Sequence, residues 1–133
     1  MSIRATSYLP AVLFVDPDMA GARALTDTLA ARYAVGVVGS LAAAYQALAV
    51  MIPVLLVCEL TLPDGDGLTL LQQMRAAPET RDVLLMVVSQ RRSPTDKIAA
   101  LRAGADDYLV KPVTPEAFAN HAARLLRYRR TLR

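Results

Sequence analysis

Five short apolar runs limit what this chain can become, because they are continuous where a half-exposed strand would alternate. They are Ala11 to Val15 (AVLFV), Ala34 to Val38 (AVGVV), Val54 to Cys58 (VLLVC), Val83 to Val88 (VLLMVV) and Tyr108 to Val110 (YLV). Such runs, rich in β-branched residues, read as strands buried on both faces, the signature of a parallel sheet. Between them the spacing turns helical. Ala22, Leu25, Leu29 and Tyr33 recur at three and four residues, and Leu41, Ala44, Tyr45 and Leu48 follow Ser40 as a cap. Leu68, Leu71 and Met74 follow Asp66, another capping residue. Ser93-Pro94 and Thr114-Pro115 each set a capping oxygen before a proline at the first helical position, opening helices that run to about Ala103 and into the C-terminal tail.

The order is β-α five times in 133 residues. That length suits one domain and is too short for an eight-unit barrel. The fold class expected is α/β: an open, doubly wound sheet of five parallel strands in the order 2-1-3-4-5, with helices on both faces. The domain proper is expected over residues 10–127, with an N-terminal extension at 1–9 and a basic helix end at 128–133.

In such sheets ligands bind at the carboxyl ends of the strands, where the winding reverses. Strand 1 ends in Asp16-Pro17-Asp18, strand 3 in Glu59, strand 4 in Ser89 and strand 5 in Lys111-Pro112, while strand 2 ends in Gly39-Ser40 with nothing ionisable. Asp16 and Glu59 should face each other, with Ser89 and Lys111 beside them. Carboxylates that can hold Mg²⁺, an ammonium and a hydroxyl together suit the handling of phosphoryl groups. Each also has a plain structural reading: Asp16 as a helix cap before Pro17, Ser89 as a loop cap, Lys111 as a surface charge.

Charge and cysteine content narrow the setting. The net charge of +3 and a pI near 9.4 suggest an anionic partner, yet five Arg with no acid fall within residues 124–133 and the remainder is net acidic. Without a reading module, five Arg do not make a nucleic-acid binder. Phe118, His121, Leu125, Tyr128 and Leu132 form an amphipathic seam, suited to a dimerising or signalling helix or to an ordinary surface helix with cations near its end. His121 reads as a seam or surface residue. Cys58 is the only cysteine, so no internal disulfide or Cys-based metal site can form, and within strand 3 it should be inert. No apolar run reaches the roughly 18 residues of a membrane span, and Met1 to Pro10 lacks a secretory h-region. A cytoplasmic location is expected.

Four segments carry a family resemblance: VLFVDPD (12–18), VCELTLPDGDGL (57–68), VVS (87–89) and AGADDYLVKP (103–112), with Pro63 and Gly67 at the spacing of the family's loop proline and glycine. Over residues 10–127 the chain resembles the receiver domain of two-component response regulators, which implies a flavodoxin-like fold, a role in phosphorelay signal transduction and no enzyme activity. The resemblance implies a phosphoacceptor Asp at the position of Glu59 and Mg²⁺ held by two acids after strand 1. Ser89 and Lys111 would bind phosphoryl oxygens, Tyr108 would act with Ser89 as the switch, and the Lys111-Pro112 bond would be cis. The partners it implies are a histidine kinase or an output domain, met through the face of helix 4, strand 5 and helix 5, which could also form a homodimer.

Two chemical positions depart from that pattern. Glu59 replaces the acceptor Asp and carries its carboxylate roughly 1.5 Å further out, a displacement in-line transfer tolerates poorly. Pro17 replaces a metal-binding acid, leaving Asp16, Glu59 and a backbone carbonyl near Thr61, so Mg²⁺ should bind weakly or not at all. Asp18 should face solvent or cap helix 1. Gln90 stands where the family usually has a small residue. These departures favour a pseudo-receiver that is not phosphorylated, acts through protein contacts and needs no cofactor. Glu59 then either imitates the phosphorylated state from a position near Lys111 and Ser89, or belongs to an inert Asp16-Lys111-Glu59 cluster. The alternatives are a conventional Mg²⁺-dependent phosphoacceptor and, further off, a haloacid dehalogenase-like phosphatase using Asp16 and Asp18. The latter would need Thr or Val at Met19, acids after Lys111 where Asp106-Asp107 precede it, and usually a cap domain. A flavodoxin-like FMN carrier fails because Asp16 and Asp18 would repel the phosphate.

Overall fold

The computed structural model describes residues 9–132, and side chains as far as residue 128. Residues 1–8 of the expected N-terminal extension lie outside the described residues, as do the side chain of Leu132 from the expected seam and those of Arg129, Arg130 and Arg133. The sheet strands are β1 (Ala11–Val15), β2 (Ala34–Val38), β3 (Leu55–Cys58), β4 (Leu84–Ser89) and β5 (Asp107–Val110). All pair in parallel, in the spatial order β2-β1-β3-β4-β5 expected from the chain. The helices are α1 (Met19–Thr26), α2 (Leu41–Val50), α3 (Gly67–Ala76), α4 (Pro94–Ala103) and α5 (Pro115–Leu132). Among the described residues no helix is long and apolar enough to cross a membrane.

Alternation along the central strands feeds two cores. Leu13, Val15, Leu56, Cys58, Leu85 and Val87 face α2, α3 and α4, where Ala44, Leu70, Leu71 and Met74 meet them. Val12, Phe14, Leu55, Val57, Met86 and Val88 face α1 and α5, against Ala22, Leu25, Phe118 and Ala122. Burial on both sides explains why the runs are unbroken.

The capping oxygens act as their positions imply. Ser40 Oγ accepts from the Ala43 amide, Asp66 from Leu68, Ser93 Oγ from Asp96 and Thr114 Oγ1 from Ala117, each satisfying an otherwise orphaned first-turn N–H. Two features differ from the sequence reading. The helical spacing through Leu29 and Tyr33 outlasts α1, which ends at Thr26. The hydroxyls of Thr26 and Thr28 donate to the Arg23 and Leu25 carbonyls, and the amides of Thr28 and Leu29 reach back only three residues, tightening the chain into turns. The line of α5 that packs on the sheet is Phe118, Ala122 and Leu126, all buried. Of the seam residues whose side chains are described, only Phe118 lies on it; His121 and Leu125 are half-buried at its flank and Tyr128 is 58% exposed.

Candidate functional site

Strand register assembles the site. Val15 pairs with Cys58, so the next residues, Asp16 and Glu59, leave β1 and β3 side by side; Ser89 closes β4 opposite Val110, after which Lys111 follows. All four side chains predicted from the strand ends converge. The Lys111 ammonium lies 2.7 Å from Asp16 Oδ2 and 3.1 Å from Glu59 Oε1, bridging the two carboxylates. Asp16 is 8% and Glu59 5% exposed, while Ser89 is fully buried. The Lys111-Pro112 bond is cis.

Glu59 is held on every side. Its Oε2 accepts from the amides of Leu60 (2.7 Å) and Thr61 (3.2 Å) and from the Ser89 hydroxyl; its Oε1 accepts from the Gln90 amide at 3.3 Å. Burial alone would raise its pKa, but the hydrogen bonds from Ser89, the Thr61 amide and Lys111 outweigh it, and the pKa falls below the ordinary 4.5. For Lys111, burial works against the charged form, yet its bonds to Asp16 and Glu59 prevail and the pKa rises above 10.5. At neutral pH Glu59 is therefore a carboxylate and Lys111 an ammonium.

The elements around it press close. A Cβ on Gly67, the first residue of α3, would come within 2.8 Å of the Glu59 carbonyl and 3.0 Å of Cys58 Sγ, so only glycine lets α3 start there. Cys58 is fully buried with its thiol donating to the Glu59 carbonyl, and burial pushes its pKa upward, away from reactivity. Asp18 caps α1, its Oδ1 accepting from the Gly21 amide, while Asp16 Oδ1 accepts from the Asp18 amide. Pro17 is exposed before the helix begins, so Asp16 is not the helix cap. Gln90 is exposed and lines a cleft of about 440 Å³ with Asp16, Asp18 and Lys111.

The residues present do not fit the Mg²⁺ that the resemblance implies. Each carboxylate oxygen at the strand ends already accepts from a protein donor, Lys111 supplies the positive charge between them, and Pro17 offers no oxygen ligand from its side chain. Among the described residues no group of three or more His, Cys, Asp and Glu is placed to hold a metal ion. The acids required by the phosphatase reading do not join the site either: Asp106 pairs with Arg75 at 2.9 Å, and Asp107 with His121 Nδ1 at 2.7 Å.

Arg91 is the residue beside the site that sequence reasoning missed. Its Nε donates to Thr61 Oγ1 at 2.9 Å, its Nη1 lies 3.1 Å from Asp66 Oδ2, and its Nη2 donates to the Leu60 carbonyl at 3.4 Å. Its amide donates to Ser89 Oγ at 3.1 Å and its carbonyl accepts from the Tyr108 hydroxyl at 2.6 Å. One residue thus joins Ser89, Tyr108 and the hairpin of Thr61–Leu62 and Gly65–Asp66. The sequence GlnArgArg holds no signal separating Arg91 from Arg92, because the partners lie some 30 residues upstream. Arg91→Ala is expected to cost about 1–2 kcal/mol, below the 1.5–3 of a charge-assisted bond because the side chain is 26% exposed. Amide hydrogen exchange of Gln90 and Arg91 should accelerate in that variant.

Comparison with known proteins bears on this arrangement. The chain matches the family model of the response regulator receiver domain over residues 12–123. It is 48% identical over 60 residues, 45% of this chain, to the KDP operon transcriptional regulatory protein KdpE of Escherichia coli K12. It is 36% identical over 116 residues, 86% of this chain, to a probable transcriptional regulatory protein, y4xI, of Sinorhizobium fredii NGR234. These alignments span 25% and 50% of those curated relatives, so the chain matches at most half their length. Among solved structures, the signal receiver domain of a signal transduction histidine kinase from Syntrophus aciditrophicus aligns with a TM-score of 0.78 at 26% identity, over 88% of this chain and 89% of that one. A CheY-like receiver domain protein from Methanospirillum hungatei JF-1 aligns at 0.86 and 23% identity, over 94% and 99% of the two chains, a likeness of fold.

Proposed function

The chain belongs to the response regulator receiver domain family, whose members serve signalling in two-component systems, and from that premise we propose that it is a pseudo-receiver. Glu59 is not phosphorylated; its carboxylate stands in for the phosphoryl group and holds the domain in one signalling state. The observation that carries this reading is the set of donors on Glu59. Ser89 Oγ and Lys111 Nζ, the groups that the resemblance assigns to phosphoryl oxygens, already bind this carboxylate, together with the Gln90 amide. Ser89 in turn accepts from the Arg91 amide, and Tyr108 is bonded to the Arg91 carbonyl. The arrangement carries the Glu59 contact to β5 without any ligand. The output is a protein contact through α4, β5 and α5, where Ile98 and Leu101 stand about half exposed. The partner is a histidine kinase or an output domain in trans or in cis.

Beryllofluoride with Mg²⁺, which reproduces the charge and shape of an aspartyl phosphate, tests the proposal. No change in amide chemical shifts is expected for the wild type. Glu59→Asp should recover binding only in part, because Pro17 still lacks a metal-binding carboxylate, and Glu59→Asp with Pro17→Asp should recover more. Tight Mg²⁺-dependent binding by the wild type would overturn the reading in favour of a conventional phosphoacceptor regulator.

A further inference from the structure

Glu59 Oε2 accepts from the Leu60 amide, the Thr61 amide and the Ser89 hydroxyl, and Arg91 stands behind the last two. The Thr61 amide belongs to the same planar peptide unit as the Leu60 carbonyl. That carbonyl accepts from Arg91 Nη2 at 3.4 Å, while Arg91 Nε donates to Thr61 Oγ1 at 2.9 Å. The Ser89 hydroxyl has one proton to give; by accepting from the Arg91 amide at 3.1 Å, its oxygen leaves that proton for Glu59. Hydrogen bonds chained in this way strengthen one another. Arg91 thus grips Glu59 from two sides through other groups.

The side chain supplies the anchor. A guanidinium carries its donors in a rigid fork, and here Nε, Nη1 and Nη2 each meet a different acceptor: Thr61 Oγ1, Asp66 Oδ2 at 3.1 Å and the Leu60 carbonyl. Asp96 Oδ1, in the first turn of α4, lies 3.9 Å from Nη1. The neighbouring Arg92 is exposed. Three residues, Gln90 to Arg92, separate Ser89 at the end of β4 from Ser93, the cap of α4, so the place of Arg91 fixes the entry to that helix. Beside this entry the half-buried ring of Tyr108 is held twice. Its hydroxyl donates to the Arg91 carbonyl at 2.6 Å, and Lys97 Nζ of α4 stands 6.0 Å from the ring centroid.

We propose that Arg91 is a positioning residue for the face of α4 and β5: its guanidinium pins the β4–α4 loop to the hairpin of Thr61–Leu62 and Gly65–Asp66, beside Glu59, and that pin keeps Tyr108 docked. The proposal rests on the reading of Glu59 as a stand-in for a phosphoryl group, and it names the side chain through which that contact reaches Tyr108. Without the pin, Tyr108 would be bonded to a carbonyl on a loop held only by its own backbone bonds, and one neutral hydrogen bond is too weak to fix a loop.

NMR of the full chain tests it, read at the ring ¹H–¹³C signals of Tyr108, assigned with Tyr108→Phe, and at the amide signals of Leu60 and Thr61. Arg91→Ala should shift all of them. Arg92→Ala, which removes the same charge one residue further on, should leave them in place. Asp66→Asn removes the charge that faces Nη1 but keeps an oxygen to cap α3 at the Leu68 amide, and should shift the Tyr108 ring in the same direction by a smaller amount. Arg91→Lys, with one nitrogen for three acceptors, should recover only part of the wild-type position. A Tyr108 ring unmoved by Arg91→Ala, or moved as far by Arg92→Ala, would overturn the proposal. Glu59→Gln separates it from the reading on which it rests. A ring that Arg91→Ala moves and Glu59→Gln does not leaves Arg91 as the pin and removes Glu59 as the signal. A ring that only Glu59→Gln moves carries the Glu59 contact without Arg91 and overturns the present proposal.

Discussion

Lys111→Met is expected to destabilise the protein by about 3 kcal/mol at neutral pH. Removing one partner of a buried ion pair costs about 3–5 kcal/mol because the other charge stays behind unpaired, and here two carboxylates, Asp16 and Glu59, would be left facing each other. The lower end of that range applies because Lys111 is 22% exposed and water can partly replace it. The loss should depend on pH in a definite direction. Glu59 has a folded pKa below 4.5, so its contribution to stability is complete above the unfolded value and is lost as pH falls through the folded one. Lys111 has a folded pKa above 10.5, so its contribution is complete below that value and is lost as pH rises through the folded one. The wild type should therefore hold a stability plateau between roughly pH 5 and 10 from this pair. In Lys111→Met the carboxylates can escape repulsion by taking up a proton, so the destabilisation measured by urea unfolding should shrink from pH 7 to pH 4. Adding Glu59→Gln to Lys111→Met should restore part of the loss at pH 7. A pH-independent difference below about 1 kcal/mol would show that solvent, and not Lys111, neutralises the carboxylates.

Much of this arrangement is legible in the chain because parallel sheets translate sequence into place directly. Asp16, Glu59, Ser89 and Lys111 each follow an apolar run, and the register of Val15 with Cys58 and of Ser89 with Val110 does the rest. The caps Ser40, Asp66, Ser93 and Thr114 are equally local, since the hydroxyl or carboxylate and the amide it binds lie two or three residues apart. What the sequence hides is made of long-range bonds. Arg91 owes its role to Thr61, Leu60 and Asp66, and Asp64 owes its role to α2, whose Leu41 and Ala42 amides it binds at 2.8 and 3.0 Å. Asp107 and His121 look unrelated until β5 and α5 pack together. On α5, spacing of three and four allows several stripes, and packing on the sheet, with the ring of Phe14 against Phe118, selects the one through Ala122 and Leu126 as the buried line.

That selection leads to the second large effect. Phe118→Ala should cost about 3–5 kcal/mol, the range for truncating a fully buried aromatic side chain. Phe118 lies 5.5 Å from Phe14 between ring centroids, tilted by 52°, and part of the loss is that pairing. A domain of this kind is stable by about 5–15 kcal/mol in all, so the loss takes a large share of that stability and should clearly lower the unfolding midpoint. Phe118→Leu keeps most of the apolar volume and should lose less than half as much. The contrast matters for function because Phe118 is on the inner side of the helix whose flank carries His121 and Leu125. If α5 only needs a filled core, thermal unfolding should report the whole effect and the His121 to Asp107 contact should survive in Phe118→Leu. If the ring itself sets the angle of α5 on the sheet, Phe118→Leu should shift the His121 imidazole resonances while costing little stability, and the outer flank of α5 would then be tuned from within the core.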